Sequence, residues 1–243
     1  MSSAGAAKRY ARNLKQSTVL YLGYLPFIVG SIHASPRQLL ASGATALVRA
    51  DAPREVVEND TVDLGGSNDS VYAYTAIDIF SKEPSIYIAA NLEMATGAMA
   101  FAHHHAFYGE VKLYQSDNGS EFQTDFKEAV LATGGEHRYS RPYKKNEQSH
   151  IENFNKALRN ECFPGSHYSQ QDIPVLQEQA NNFVQHYIHR RWHMGLPDLM
   201  TPVQFKQYYD NNPEVAKMEL AKVYTVSHLV WNFTGIENII RIR

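Results

Sequence analysis

Two β-prone runs separated by four residues set the strongest limit on what this chain can fold into. "VYAYTAIDIF" (71–80) is an almost unbroken series of β-branched, aromatic and apolar residues, the pattern of a strand buried on both faces. "SIYIAAN" (85–91) is a second such run, and "SKEP" between them is long enough only for a tight reversal. The two must therefore be antiparallel neighbours, because a parallel crossover needs a dozen residues or more. "TVDLGG" (61–66) ahead of them predicts a brief strand ended by glycines, which completes a meander.

Helix and strand alternate after the meander. "LEMATGAMAFAHHHAFYG" (92–109) predicts a helix closing near Gly109, and "VKLYQS" (111–116) a fourth strand. "EFQTDFKEAVLATGG" (121–135) predicts a helix stopped by paired glycines, and "EHRYS" (136–140) a fifth strand. Helices are expected at about 149–162 and 173–190, the second with Leu176, Ala180, Phe183, Val184 and Tyr187 on one face. Thr201-Pro202 opens one more, with Thr as cap and Pro in the first turn. Strands first and alternation afterwards give an α/β fold: a mixed five-stranded sheet, antiparallel meander plus parallel strands, flanked by helices. The tail 210–243 is expected to add a helix and a strand or two ("YTVSHLVWNF", "NIIRIR").

Residues 1–55 do not share this clarity. They are rich in Ala and Ser, show no clean helical period, and carry six Lys/Arg before the first acid at Asp51. We read them as a poorly defined segment, with a truncated or out-of-frame DNA-binding region as the hypothesis. The run "STVLYLGYLPFIVGSI" (17–32) follows a basic start, but it is shorter than a membrane span and is broken by Pro26 and two glycines. The expected boundaries are thus 1–55, a core at 56–209 and an extension at 210–243. The single cysteine, Cys162, excludes an internal disulfide framework and fits a reducing cytoplasm. A formal charge of −2 gives no general affinity for nucleic acid. Between 138 and 160, however, Arg138, Arg141, Lys144, Lys145, Lys156 and Arg159 face only Glu147 and Glu152. Such a strip suits phosphates, and equally a solvated helix face.

Three acids stand out by placement: Asp63 in the first strand of the meander, Asp117 at the end of the fourth strand, and Glu152 in the first turn of a helix. Mg2+ takes oxygen ligands and uses one or two protein carboxylates per ion. Two such ions ~3.5–4 Å apart can stabilise both the entering and the leaving oxygen of an in-line displacement. Each acid also has a plain alternative. Asp117 could shape the Asp-Asn-Gly turn, Glu152 could close a Ser149-x-x-Glu152 capping box, and Asp63 could simply face water. Ile151, Phe154, Leu158 and Cys162 form one stripe of the Glu152 helix, while Glu152, Lys156 and Arg159 share another face. His103-His104-His105 are consecutive, so on a helix they fan out and cannot converge on one ion.

"YQSDNGSEF" (114–122), "RPYKKNEQSHIENFNKALRNE" (141–161) and "YIHRRWHMGLPDLMTPVQF" (187–205) occur in the order and spacing of a known family. Together they resemble the integrase catalytic core shared by bacterial insertion-sequence transposases and retroviral integrases, over roughly residues 58–208. Thirty-four residues separate Asp117 from Glu152, close to the family's usual gap. The resemblance implies an RNase H-like fold and a D-D-E triad that binds Mg2+ or Mn2+, two ions in all. It also implies cleavage and strand transfer at the ends of a mobile element.

On the resemblance, Asp63 matches the first-strand ligand, ahead of the conspicuous Asp78, which is expected to fix the turn around Ser81 and Lys82. Lys144, Lys145, Lys156, Arg159 and Asn118 are the expected DNA contacts. DNA ends and target, a homo-oligomer bridging two ends, a bacterial cytoplasmic, nucleoid-associated location and no membrane complete the expectation. The loop 141–148 is expected to order on DNA. His193 is read as a packing and hydrogen-bonding residue, and Trp192 stands where the family has proline. A degenerate DNA-binding remnant, or a nuclease without strand transfer, would share much of this sequence.

Overall fold

The computed structural model describes residues 49–65, 69–141, 145–165 and 167–224. The readings of the N-terminal segment up to residue 48, of the apolar run 17–32, of Lys144 and of strands in the tail lie outside these residues. Five strands form one sheet in the order β3-β2-β1-β4-β5. They are β1 (Val56–Asp63), β2 (Tyr72–Asp78), β3 (Pro84–Ala89), β4 (Leu113–Ser116) and β5 (Glu136–Tyr139). β1, β2 and β3 pair antiparallel, whereas β4 and β5 join β1 in parallel. This is the predicted mixed sheet.

Helices cover both faces. α1 (Met94–Tyr108) and α2 (Thr124–Ala132) enclose a core with Val57, Tyr74, Phe101, Tyr114, Phe122 and Phe126. α3 (Ser149–Ala157) and α4 (Ile173–His189) lie over the other face and bury Val62, Ile77, Ile88, Phe154, Leu158 and Phe183. The Ile151, Phe154, Leu158 and Cys162 stripe faces this core as expected, with a π-helical turn at Leu158–Cys162 after α3. Thr201 and Gln204 make a reciprocal capping box at the start of α5 (Pro202–Asn211). A further helix, α6, spans 213–224 and packs Ala216 and Leu220 against Phe80 and Phe205.

The main correction concerns β1. The expected strand began at Thr61, but the observed one begins at Val56 and includes the polar run Glu58-Asn59-Asp60. Those residues belong to a central strand because each is answered from another element. Glu58 is fully buried, and its Oε2 accepts from the Ile151 amide in the first turn of α3 at 2.9 Å. A carboxylate on the sheet thus satisfies a helix N-terminus, where unpaired amides favour negative charge. Burial nevertheless pushes the Glu58 carboxyl up to about 7, against the pull of the Ile151 amide.

Asp78 does what was expected. It is buried, its Oδ1 accepts from the Phe80 and Ser81 amides, and its Oδ2 pairs with the Arg54 guanidinium at 2.9 Å. Of the three consecutive histidines, His104 is buried with Nδ1 2.9 Å from Ser85 Oγ, and His103 packs its ring on Tyr87. His193 accepts from the Gly195 amide through Nδ1 and lies against Tyr187.

Burial holds His104 down to about 3, His137 to about 4 and His193 to about 3. Below pH 6.5 the unfolded chain protonates these rings while the folded chain does not, so acidification disfavours folding. Glu58 and Asp60, held up at about 7 and about 6, oppose this by binding protons in the folded state, but they are outnumbered. The melting temperature is therefore expected to fall between pH 6 and pH 5, in metal-free buffer. Calorimetric scans showing a flat or rising melting temperature across that unit would contradict the balance.

Candidate active site

The parallel pairing of β1 and β4 decides which carboxylates can meet. Glu58 is opposite Gln115 in the last pair of that ladder, so its continuation by two residues leads to Asp60 within β1 and to Asp117 just past the end of β4, and the Asp117 charge acts on Asp60. Successive residues of a strand face opposite ways. Glu58, Asp60 and Val62 face α3, whereas Val57 and Thr61 face the α1 and α2 side. Asp63 has the parity of Thr61. It is exposed, and its Oδ1 accepts from the Gly65 amide at 2.9 Å to shape the turn after β1. The expected first carboxylate, Asp63, therefore lies on the sheet face opposite to α3, whereas Asp60 lies on the face that α3 covers.

Both Asp60 oxygens are held. Oδ1 accepts from the Thr61 amide and Oδ2 from Asn155 Nδ2, each at 2.8 Å. Asn155 is one turn beyond Glu152 on α3, and its Oδ1 accepts from the Thr75 hydroxyl at 2.9 Å. Burial pushes the Asp60 carboxyl up to about 6, and the charges of Asp117 and Glu152 push the same way. Asp117 is half-buried, and its Oδ1 accepts from the Gly119 amide at 3.0 Å. The turn reading of Asp117 thus describes it.

Glu152 is exposed in the first turn of α3. The capping-box alternative fails, because the helix caps at Gln148 and no side chain caps it. Among the described residues Glu152 has no hydrogen-bond partner, and Asp60, Asp117 and Glu152 have no ion pair. Among the described residues, too, no three His, Cys, Asp or Glu side chains stand close enough together to hold a metal ion. Lys156 and Arg159 are exposed along the helix from Glu152. Asn118 is exposed, and its Oδ1 accepts from Gln123 Nε2 at 3.0 Å. Lys145 opens a short 3-10 turn, Lys145–Gln148.

Two further groups serve the site and gave no motif in the sequence. Asn155 is one; the only available signal was its i+3 spacing from Glu152. The other is the base of the loop 141–148. Glu147 is 6% exposed and accepts from the Arg141 amide at 2.9 Å and from Arg141 Nε at 2.6 Å. Its backbone carbonyl accepts from Gln115, whose Oε1 accepts from Arg138 Nε at 2.8 Å. Arg141 and Glu147 thus clasp the loop at its ends.

Residues 133–202 match the family described as integrase core domain, a span that includes Glu152 and stops short of Asp60 and Asp117 on the N-terminal side. That stretch is thus similar to part of an integrase core. The fold is also that of solved retroviral integrases. An integrase chain of the simian T-cell lymphotropic virus intasome, solved with a regulatory subunit of PP2A, superimposes with a TM-score of 0.56 at 17% identity. That match covers 65% of this chain and 56% of the viral one. The HTLV-2 integrase catalytic core, solved with magnesium in a trimeric form, gives a TM-score of 0.52 at 17% identity, over 64% of this chain and 98% of that one. A comparison with curated protein sequences finds no significant match. No helix among the described residues is long and apolar enough to cross a membrane.

Proposed function

We propose that this chain is a metal-dependent DNA transferase of the integrase and transposase kind, acting through Asp60, Asp117 and Glu152. The observation that supports the reading is the parallel pairing of β1 and β4, with Glu58 opposite Gln115 two residues before Asp60 and Asp117, together with the bond from Asp60 to Asn155 on the helix that bears Glu152. The donors fit a hard divalent cation. They are carboxylates only, one of them disfavoured as an anion by burial and by its acidic neighbours, and among the described residues no cationic side chain is paired to any of them. Glu152 can turn toward the pair without breaking a hydrogen bond.

Two Mg2+ or Mn2+ ions at such a site supply charge stabilisation for the entering and leaving oxygens of a phosphodiester. The chain's own residues supply position. Asn155 and the Thr61 amide aim Asp60, and the Gly119 amide aims Asp117. Lys156 and Arg159, with Lys144, Lys145 and Asn118, hold the DNA backbone beside the carboxylates. Phosphate contacts of this kind set position and carry little sequence information. Two copies bridging two DNA ends in a bacterial cytoplasm complete the reading.

The test is one reaction: the full chain, Mg2+ or Mn2+, a labelled duplex of the DNA flanking its coding sequence, and a supercoiled target. Joined products are expected. Cleavage without joining would make it a nuclease, and a gel shift without either product a binding remnant.

A further inference from the structure

Glu121 is a buried acid with a specific lodging. It lies in a 3-10 turn, Ser120–Phe122, directly after the Asp117 turn, and is 5% exposed. Its Oε1 accepts from the Thr61 hydroxyl at 2.7 Å. Thr61 follows Asp60 in β1, so a residue from the β4 side of the site is tied to the strand that carries the other carboxylate. Its second oxygen faces the turn. A Cβ at Gly119 would stand 2.6 Å from Glu121 Oε2 and 3.0 Å from Asp117 Oδ1. The two carboxylates therefore sit on either side of Gly119, within about 6 Å of each other, the range over which like charges act on one another. The backbone of Glu121 is fixed independently. A Cβ at Gly97 in α1 would meet the Glu121 carbonyl oxygen at 1.9 Å, so the helix lies directly on this turn.

We propose that Glu121 is a positioning residue of the metal site, tying the strand of Asp60 to the turn of Asp117 and so setting the distance between those two carboxylates. The proposal rests on the reading that Asp60 and Asp117 bind a divalent cation. A purely structural link across this gap has no need of a charge: a buried carboxylate costs more to desolvate than an amide, which accepts the same hydroxyl. The charge has a use where a cation is held nearby, and partners one step removed from a metal orient its ligands and tune its affinity. Gly119 lies against both carboxylates, and a larger side chain there would have to push their oxygens aside.

The test is Mn2+ binding to the full chain, followed by the loss of the free-ion electron paramagnetic resonance signal, with melting in EDTA as a separate check of folding. Thr61→Val removes the donor and keeps the charge, Thr61→Ser keeps both, and Glu121→Gln keeps an acceptor and loses the charge. Thr61→Val and Glu121→Gln are each expected to weaken Mn2+ binding about 10-fold or more, with Thr61→Ser close to wild type. Melting in EDTA is expected to stay near wild type for all three. If Asp60→Asn loses the ion while Thr61→Val and Glu121→Gln bind it as wild type does, the metal site stands and the role given to Glu121 is wrong. If the wild-type chain binds no Mn2+, or Asp60→Asn binds it unchanged, the site reading fails and the inference goes with it.

Discussion

Asp60→Asn is expected to reduce metal-dependent cleavage and joining by about 10³-fold, the scale of losing one group that stabilises transition-state charge. Asp63→Asn is expected to leave both near wild type. The contrast follows from parity. Asp60 shares a strand face with Glu58, which reaches α3, and Asp63 shares the opposite face with Thr61. No rotamer of Asp63 crosses the sheet. Stability should change far less than activity. Burial, with Asp117 and Glu152 adding to it, lifts the Asp60 carboxyl to about 6. At neutral pH the folded chain therefore holds an anion that the unfolded chain tolerates better, and the amide relieves this, but its NH2 cannot accept the second of the two hydrogen bonds that Asp60 takes. Asp60→Asn is thus expected to melt in EDTA near the wild-type temperature while losing activity. A variant that lost both together would point to a structural role, and an inactive Asp63→Asn would return the assignment to Asp63.

Gly97→Ala should be the most damaging small substitution in the core. Within a helix, alanine is favoured over glycine by about 1 kcal/mol, so propensity alone predicts a gain. The structure predicts a loss, because the added methyl would lie 1.9 Å from a backbone oxygen of the Glu121 turn. Neither partner is a flexible side-chain tip, so α1 and the turn must separate. Overpacking of this kind costs about 1–3 kcal/mol or more. For a chain of this size the melting temperature should drop by roughly 5–10 °C. The displaced turn carries Glu121 and adjoins Asp117, so Mn2+ affinity should fall as well. An unchanged melting temperature would show that the helix and the turn can part at little cost.

The fold was readable where hydrophobic pattern and connection length agreed. The meander followed from the four residues between two unbroken apolar runs, and the stripe Ile151, Phe154, Leu158 and Cys162 placed α3 correctly on the sheet. β1 was misread at its start for a physical reason. Glu58-Asn59-Asp60 has the composition of a loop, and only its partners make it a strand: the Ile151 amide for Glu58, the backbone carbonyls of Val57 and Gln115 for Asn59, and Asn155 for Asp60. Those partners lie up to 95 residues away, and no local window contains them. Asp117 and Glu152 were legible because each stands at a recognisable boundary, a turn and a helix start. Asp60 was passed over with the strand. Alternation could have set it apart from Asp63, since Val62 and Leu64 enter the core and, of the two aspartates, Asp60 shares their parity. Asn155 and Glu121 left no such trace, because a buried polar residue reads as an exposed one until its partner is known.

β1 also serves as the single datum from which the site is measured. Asp117 is placed from it by strand register, and the helix of Glu152 is placed from it twice, through Glu58 to Ile151 and through Asp60 to Asn155. Lys156 and Arg159 lie on the outer side of that same helix and make none of these measurements. Under the proposed function, the face given to DNA could therefore change while the spacing of the carboxylates stays fixed. A core built this way could be moved to new DNA ends without having its chemistry rebuilt.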